Sequence, residues 1–212
     1  MITVKVFVVN YFSENTYLLF DETKEAVLID CGCLRTEEKL ELKEFIEQNE
    51  LKLVHYICTH LHLDHTFGNA FVFDTYGLKP EASLADVEGL PSAEQQAIAF
   101  GLRKEIKSIP LANELNEGDV VRFGKSELKV LAVPGHTPGG LAFYNEQDGF
   151  VMVGDSLFMG SIGRTDLWGG SAEALVTALR KNLMTLPEET IVYPGHGPTT
   201  TIGHEKTNNP YI

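Results

Sequence analysis

Residues 59–65 read Thr-His-Leu-His-Leu-Asp-His (THLHLDH), which places three of the chain's 7 histidines beside one carboxylate. The run follows LVHYIC (53–58), whose apolar and β-branched residues read as a strand. In extended backbone, residues two apart project to the same side, so His60 and His62 can reach one ion. Asp64 and His65 lie just beyond, where the chain is expected to turn towards a helix starting near Phe67. Such a turn redirects both side chains to a neighbouring point. The spacing therefore suits two metal ions side by side.

A tetrahedral ion takes about four ligands, so others must come from elsewhere in the chain. Three later segments offer them, each at the end of an expected strand: VPGHTPGG (133–140) with His136, VGDSLF (153–158) with Asp155, and YPGHGP (193–198) with His196. Glycine precedes each candidate and permits tight backbone turns close to an ion. Five of the 7 histidines fall in these motifs. The remaining two, His55 and His204, read as ordinary hydrogen-bonded residues. Imidazoles and carboxylates drawn together need partners, and a metal supplies them. The cluster reads as a metal site.

Around it, strand patterns recur at TVKVFVV (3–9), TYLLF (16–20), AVLID (26–30), VVRF (120–123), ELKVLAV (127–133), LAFY (141–144), FVMVGD (150–155) and TIVYPG (190–195). Helical periodicity follows Thr36, an expected N-cap, with Leu42, Phe45 and Ile46 on one face. Ser171 is the expected N-cap of a second helix that turns Leu175, Ala178, Leu179 and Leu183 inward. A third, weaker helical pattern covers 93–105. No internal repeat or linker interrupts the chain. The order of elements predicts an α/β (α+β) architecture, two packed sheets with helices outside, in one domain spanning residues 1–212.

Hydrophobic content of 43% and charged content of 22% are those of a globular chain with a real core. No apolar run approaches the roughly 20 residues that cross a bilayer, and MITVKVFVVNYF reads as a first strand rather than a signal peptide. The expectation is a cytoplasmic protein with no membrane partner. Net charge is -13, with Lys and Arg scattered, which disfavours nucleic acid as a partner. Three cysteines, Cys31, Cys33 and Cys58, form no disulfide framework. Cys58 reads as a small core residue. The sequence carries no signal of oligomeric state.

His60-Leu61-His62-Leu63-Asp64-His65, followed by His136, Asp155 and His196, resembles the metallo-β-lactamase superfamily over nearly the whole chain. That resemblance implies a four-layer αβ/βα sandwich with metals at the edge of two sheets. It implies that His60, His62 and His136 hold one ion, Asp64, His65 and His196 a second, and that Asp155 bridges them. GDSLFMGSIGRTDLWGG (154–170) is similar to the glyoxalase II branch, which hydrolyses thioesters such as S-lactoylglutathione. Only 16 residues follow His196, too few for the helical segment that grips glutathione in full-length glyoxalase II. The chain thus resembles the short, single-domain bacterial hydrolases of that branch, with a small-molecule thioester as substrate.

The alternative is a persulfide dioxygenase with a single iron, which shares the GRTD wording (163–166) but tends to follow its last histidine with Asp-Tyr rather than GHGPTT. A β-lactamase or lactonase, or a metal-binding module without catalysis, ranks below both. The best-known β-lactamase subclass carries cysteine where Asp155 stands, and the ligand set here is complete. Two divalent ions are expected, Zn2+ first, with iron or manganese using similar ligands. Asp64 and Asp155 are the expected catalytic carboxylates. Asp30, Thr59 and Thr137 stand where they can orient ligating imidazoles. Arg164 can anchor a substrate carboxylate or pair with Asp166. Tyr193 is a candidate for the pocket wall, and Trp168 either covers the site or packs.

Overall fold

The computed structural model describes residues 1–102 and 106–212. One sheet contains, in spatial order, β1 (Thr3–Val9), β2 (Glu14–Phe20), β3 (Glu25–Ile29), β4 (Lys52–Ile57), β5 (Glu81–Ala82) and β6 (Asn113–Glu114). The second runs β14 (Thr200–Thr201), β13 (Ile191–Pro194), β10 (Phe150–Gly154), β9 (Leu141–Asn145), β8 (Ser126–Ala132) and β7 (Val120–Phe123). A small hairpin, β11 (Leu157–Phe158) with β12 (Ser161–Ile162), completes the strands. Every expected strand is present. The two-residue strands carry too short a pattern to be read from sequence.

Period-two alternation explains the layering. In β3, Val27 and Ile29 face the space between the sheets, while Ala26 and Leu28 face the opposite way. In β10, Phe150 and Met152 point inward and Val151 and Val153 outward. Strands buried on both faces read as continuous apolar runs, as AVLI and FVMV do. The inter-sheet core joins Tyr17, Leu19 and Ile57 to Phe123, Leu128 and Phe143. Outside the first sheet pack α1 (Thr36–Gln48), through Leu42 and Ile46, and α3 (Asn69–Tyr76), through Val72. Outside the second pack α6 (Ala172–Ala178) and α7 (Ile202–Asn208), with Leu175, Leu179, Leu183 and Ile202. Four layers result, as the resemblance implied.

Three boundaries differ from the sequence reading. Arg35, not Thr36, is the N-cap of α1. The buried Glu38 carboxylate reaches back to accept the backbone N–H groups of Leu34 and Arg35, both at 2.8 Å, which removes the need for a threonine cap. The chain after the histidine run enters a helix sooner than Phe67: α2 spans Leu63–Thr66 and α3 begins at Asn69. The pattern over 93–105 yields α5 (Ala93–Ala99), after the short α4 (Leu84–Gly89). Helix α5 ends where Gly101 takes φ +69°, and 103–105 lie outside the described residues. Ser171 caps α6 as expected, accepting the N–H of Ala174. Among the described residues no helix is long and apolar enough to cross a membrane.

Candidate metal centre

The histidine run leaves β4 at the rim of the sandwich, where the two sheets are stitched together. The Thr59 carbonyl accepts the N–H of Leu141 at the start of β9 (2.8 Å). The Tyr17 hydroxyl and the Asn15 amide donate to the Pro194 carbonyl (2.8 and 3.0 Å), and the Asn15 N–H donates to the Gly195 carbonyl (2.7 Å). These bonds fix the loop carrying His196 against the strand that faces it. Gly154 has φ +51°, and a Cβ there would strike the Thr59 hydroxyl; a Cβ on Gly195 would strike Asp155 and His65. The glycines before these ligands therefore make room as well as turns.

Seven side chains meet here. Ligating atoms of His60, His62 and His136 lie within 4.8 Å of one another, and so do those of Asp64, His65 and His196. The helical turn α2 carries Asp64 and His65 just beyond the extended His60–His62 segment, with the His60 and His65 rings 4.2 Å apart. Asp155, directly after β10, lies between them: its carboxylate is 3.7 Å from His136 Nε2, 3.4 Å from His65 Nε2 and 3.5 Å from His196 Nε2.

Hydrogen bonds at the far ring nitrogens decide which nitrogen each imidazole presents. His136 Nδ1 meets the Arg164 carbonyl (2.7 Å) and His196 Nδ1 the Phe12 carbonyl (3.0 Å). His65 Nδ1 meets Asp30 (2.9 Å). The Thr59 hydroxyl donates to Asp30 (2.7 Å), so it accepts from His60 Nδ1 at 3.0 Å. All four rings are thereby turned to offer Nε2. His62 is reversed, its Nδ1 facing His136 Nε2 at 2.9 Å.

The Nε2 atoms of His60 and His65 and Oδ1 of Asp155 are buried without a hydrogen-bond partner. Aimed, desolvated donors of this kind fit divalent cations bound by nitrogen and oxygen. Asp30, His60 and His65 also lie within ligand range of one another. Asp30 already accepts from the Thr59 N–H, the Thr59 hydroxyl and His65, which makes it an orienting group.

Electrostatically His60 and His62 are the opposite of His65 and His196. Burial, then the neighbouring imidazoles, pushes His60 well below the usual histidine range and His62 down to about 3. Burial acts the same way on His65, but Asp155, Asp30 and Asp64 overcome it and raise the ring well above that range. His196 is raised against its burial by Asp64 and Asp155. Burial also opposes charge on Asp64 and Asp155, yet His65 and its neighbours hold both carboxyls below the ordinary aspartate range.

The remaining sequence candidates separate clearly. Asp30 and Thr59 touch the ligands as described. Thr137 does not: its hydroxyl donates to Asp86 at 3.1 Å. Tyr193 packs edge-on against Tyr17 and Phe150 in the inter-sheet core, away from the cavity of about 220 Å³ over the site. Arg164 lines that cavity, but its guanidinium grips Asp166 through two bonds of 2.7 and 2.8 Å. Trp168 sets its ring edge-on to His62, with centroids 6.4 Å apart. Cys31, Cys33 and Cys58 are buried in the cluster beneath α1. His55 pairs with Glu81 (2.7 Å) and His204 with Asn208 (3.3 Å).

Three contributors escaped the sequence reading. Asp86, buried on α4, accepts from the Leu61 N–H (2.9 Å), the Gly139 N–H (2.6 Å) and the Thr137 hydroxyl, tying the His60–His62 loop to the His136 loop. Gln96 on α5 clamps the same loop through the Leu61 carbonyl and the Leu63 N–H, both at 3.0 Å. Glu14, wholly buried beside His65, keeps one oxygen without a hydrogen bond, and burial raises its carboxyl well above the usual range. An acidic residue or glutamine on a short helix is ordinarily solvated. No local pattern distinguishes these.

The family model described as "Metallo-beta-lactamase superfamily" matches residues 9–196. Hydroxyacylglutathione hydrolase GloC of Haemophilus influenzae is 33% identical over 210 residues, covering 99% of this chain and 97% of that protein. Two solved structures match almost end to end. BLEG-1 B3 metallo-beta-lactamase has a TM-score of 0.87 at 30% identity, covering 99% of both chains. TTHA1623 in a di-iron-bound form has a TM-score of 0.86 at 36% identity, covering 99% of this chain and 100% of that one.

Proposed function

The chain belongs to the metallo-β-lactamase superfamily, and we propose that within it the protein is a dinuclear thioester hydrolase of the glyoxalase II type. The reading rests on one carboxylate, Asp155, within 3.7 Å of imidazoles from both ligand sets. Similarity to a hydroxyacylglutathione hydrolase along its whole length supports the substrate class. His60, His62 and His136 would hold one divalent ion, Asp64, His65 and His196 the other, with Asp155 shared. Bound there, such ions supply water of lowered pKa and a Lewis-acid partner for a carbonyl oxygen. Zinc suits these donors. Iron does too, and a similar structure contains it.

The protein's own part is orientation and charge. Asp30 holds His65 directly and His60 through Thr59, so their Nε2 lone pairs stay aimed inward. Asp64, about one-fifth exposed to the cavity and kept ionised by the surrounding imidazoles, can orient the attacking water by accepting its hydrogen bond. A thiolate leaves readily, so the site needs no strong general acid.

Purified holoenzyme assayed for metal content and against three substrate panels tests the reading. Two equivalents of metal and thioester cleavage without oxygen uptake are expected. A single iron with oxygen consumed on glutathione persulfide would establish the dioxygenase instead. Hydrolysis confined to β-lactams, the activity named for one of the similar structures, would establish a lactamase.

A further inference from the structure

Aromatic side chains surround the mouth of the metal centre. Trp168 sits edge-on to His62, and Phe100 sits edge-on to Trp168 with centroids 5.9 Å apart. Phe12 meets Phe100 at 6.4 Å and stacks on Phe67 at 6.5 Å. Across the opening Phe158 leans on His196 at 6.5 Å. Trp168 thus stands against one ligand set and Phe158 against the other; Phe12, Phe100 and Trp168 come from three separate loops and Phe158 from β11. Phe12 and Phe100 remain 47% and 45% exposed, although both line the cavity. Exposed aromatics grouped over a reactive site mark an apolar ligand.

The mounting of Phe12 is stiff. The turn bearing Phe12 holds Asn10 at φ 54° and Ser13 at φ 56°. Asn10 pins it through its amide to the Gly32 and Asp64 carbonyls (3.0 and 2.9 Å) and by accepting the Phe12 N–H (2.8 Å). The Phe12 carbonyl in turn accepts from His196. Among the described residues lining the cavity, Arg164 is the one Arg or Lys side chain, and Asp166 already neutralises it. Among these described lining residues a charged carrier such as glutathione meets no uncommitted cation. The cavity, about 220 Å³, is below the roughly 300 Å³ at which ligand pockets begin. It has room for a thioester group and a short acyl chain, with the carrier left outside.

We propose that the substrate is a thioester with an apolar acyl group, seated against Phe12, Phe100, Leu167 and Trp168, and that carrier charge contributes little to recognition. The proposal rests on the thioesterase reading and names its substrate class. Water adds to the carbonyl carbon and the C–S bond breaks. One water proton ends on the thiolate sulfur, and the other leaves the new carboxylic acid for solvent.

The holoenzyme would be assayed with N-acetylcysteamine thioesters of acetate, butyrate, hexanoate and phenylacetate, beside S-lactoylglutathione. Expected is a rise in kcat/KM of about fourfold per buried methylene until the cavity fills, and no preference for the glutathione ester. Phe100→Ala should flatten the series. Trp168 is the chain's one tryptophan, so its fluorescence reports occupancy independently, and phenylacetate should quench it saturably.

A flat chain-length series, with S-lactoylglutathione preferred more than tenfold and no quenching, would overturn the proposal while leaving the hydrolase intact. Saturable quenching by phenylacetate with no thioester cleaved would overturn the hydrolase reading while supporting an apolar-ligand site.

Discussion

The all-histidine set His60–His62–His136 and the mixed set Asp64–His65–His196 share one cavity but are solvated and charged differently. The first is buried, and burial plus like-charged neighbours keep His60 and His62 free of protons at neutral pH. The second gathers carboxylates around His65 and His196, which raise the proton affinity of both rings when no cation is present. One set is prepared for a cation by desolvation, the other by charge. The supports differ as well: Asp86 braces only the loops of the first, whereas Asp30 reaches His65 directly and His60 through Thr59. Asp155 stands between these unlike half-sites, within 3.7 Å of imidazoles from both.

The severest test removes the joint. Asp155→Ala should lower kcat/KM by about 10³-fold, since ions held at such centres supply several kcal/mol of transition-state stabilisation. Thermal stability of the metal-free protein should fall far less. Unchanged turnover would mean that the half-sites do not act together. Asp86→Ala should weaken metal binding at the three-histidine set by about 10–100-fold, leaving the mixed set loaded; equilibrium dialysis with elemental analysis would show one equivalent lost. Asp30→Ala should weaken both, and loss confined to one ion would break the asymmetry of supports.

Acidity gives a third way to separate the halves. Protons compete for His65 and His196, whose affinity for them is raised, but hardly for His62 at about 3. Metal content measured by dialysis should therefore fall from two equivalents towards one as pH drops below neutrality, and the mixed set should empty first. In the metal-free protein the sign for stability follows from linkage. The raised rings stabilise fully below the unfolded histidine value of about 6.5, and that contribution fades as pH rises through their folded values.

The smallest effect belongs to a histidine outside both sets. His55 is raised chiefly by its bond to Glu81. His55→Ala should cost about 0.2–1 kcal/mol, present below pH ~6.5 and lost as pH rises through the raised value. Metal content should not change.

Much of this was legible because it is local. The identity and order of the candidate ligands lie in short motifs, and AVLI or FVMV betray strands buried on both faces without reference to any neighbour. Thr36 as a cap failed because Glu38, three residues from the true N-cap, supplied the bonds. The helix expected at Phe67 began earlier, at Leu63, because α2 itself carries Asp64 and His65.

Sequence alone determined which side chains can bind a cation and which strands carry them, because donor chemistry and backbone period are written residue by residue. Only the tertiary structure decided how they are held and what surrounds them. Asp86 meets Thr137 across 51 positions and Asn15 meets Pro194 across 179. It sent Tyr193 into the core and Arg164 to Asp166, and it brought Phe12, Phe100 and Trp168 from three loops to one rim. Hydrogen bonds and cavity walls of that kind depend on packing between distant segments, for which no local pattern exists.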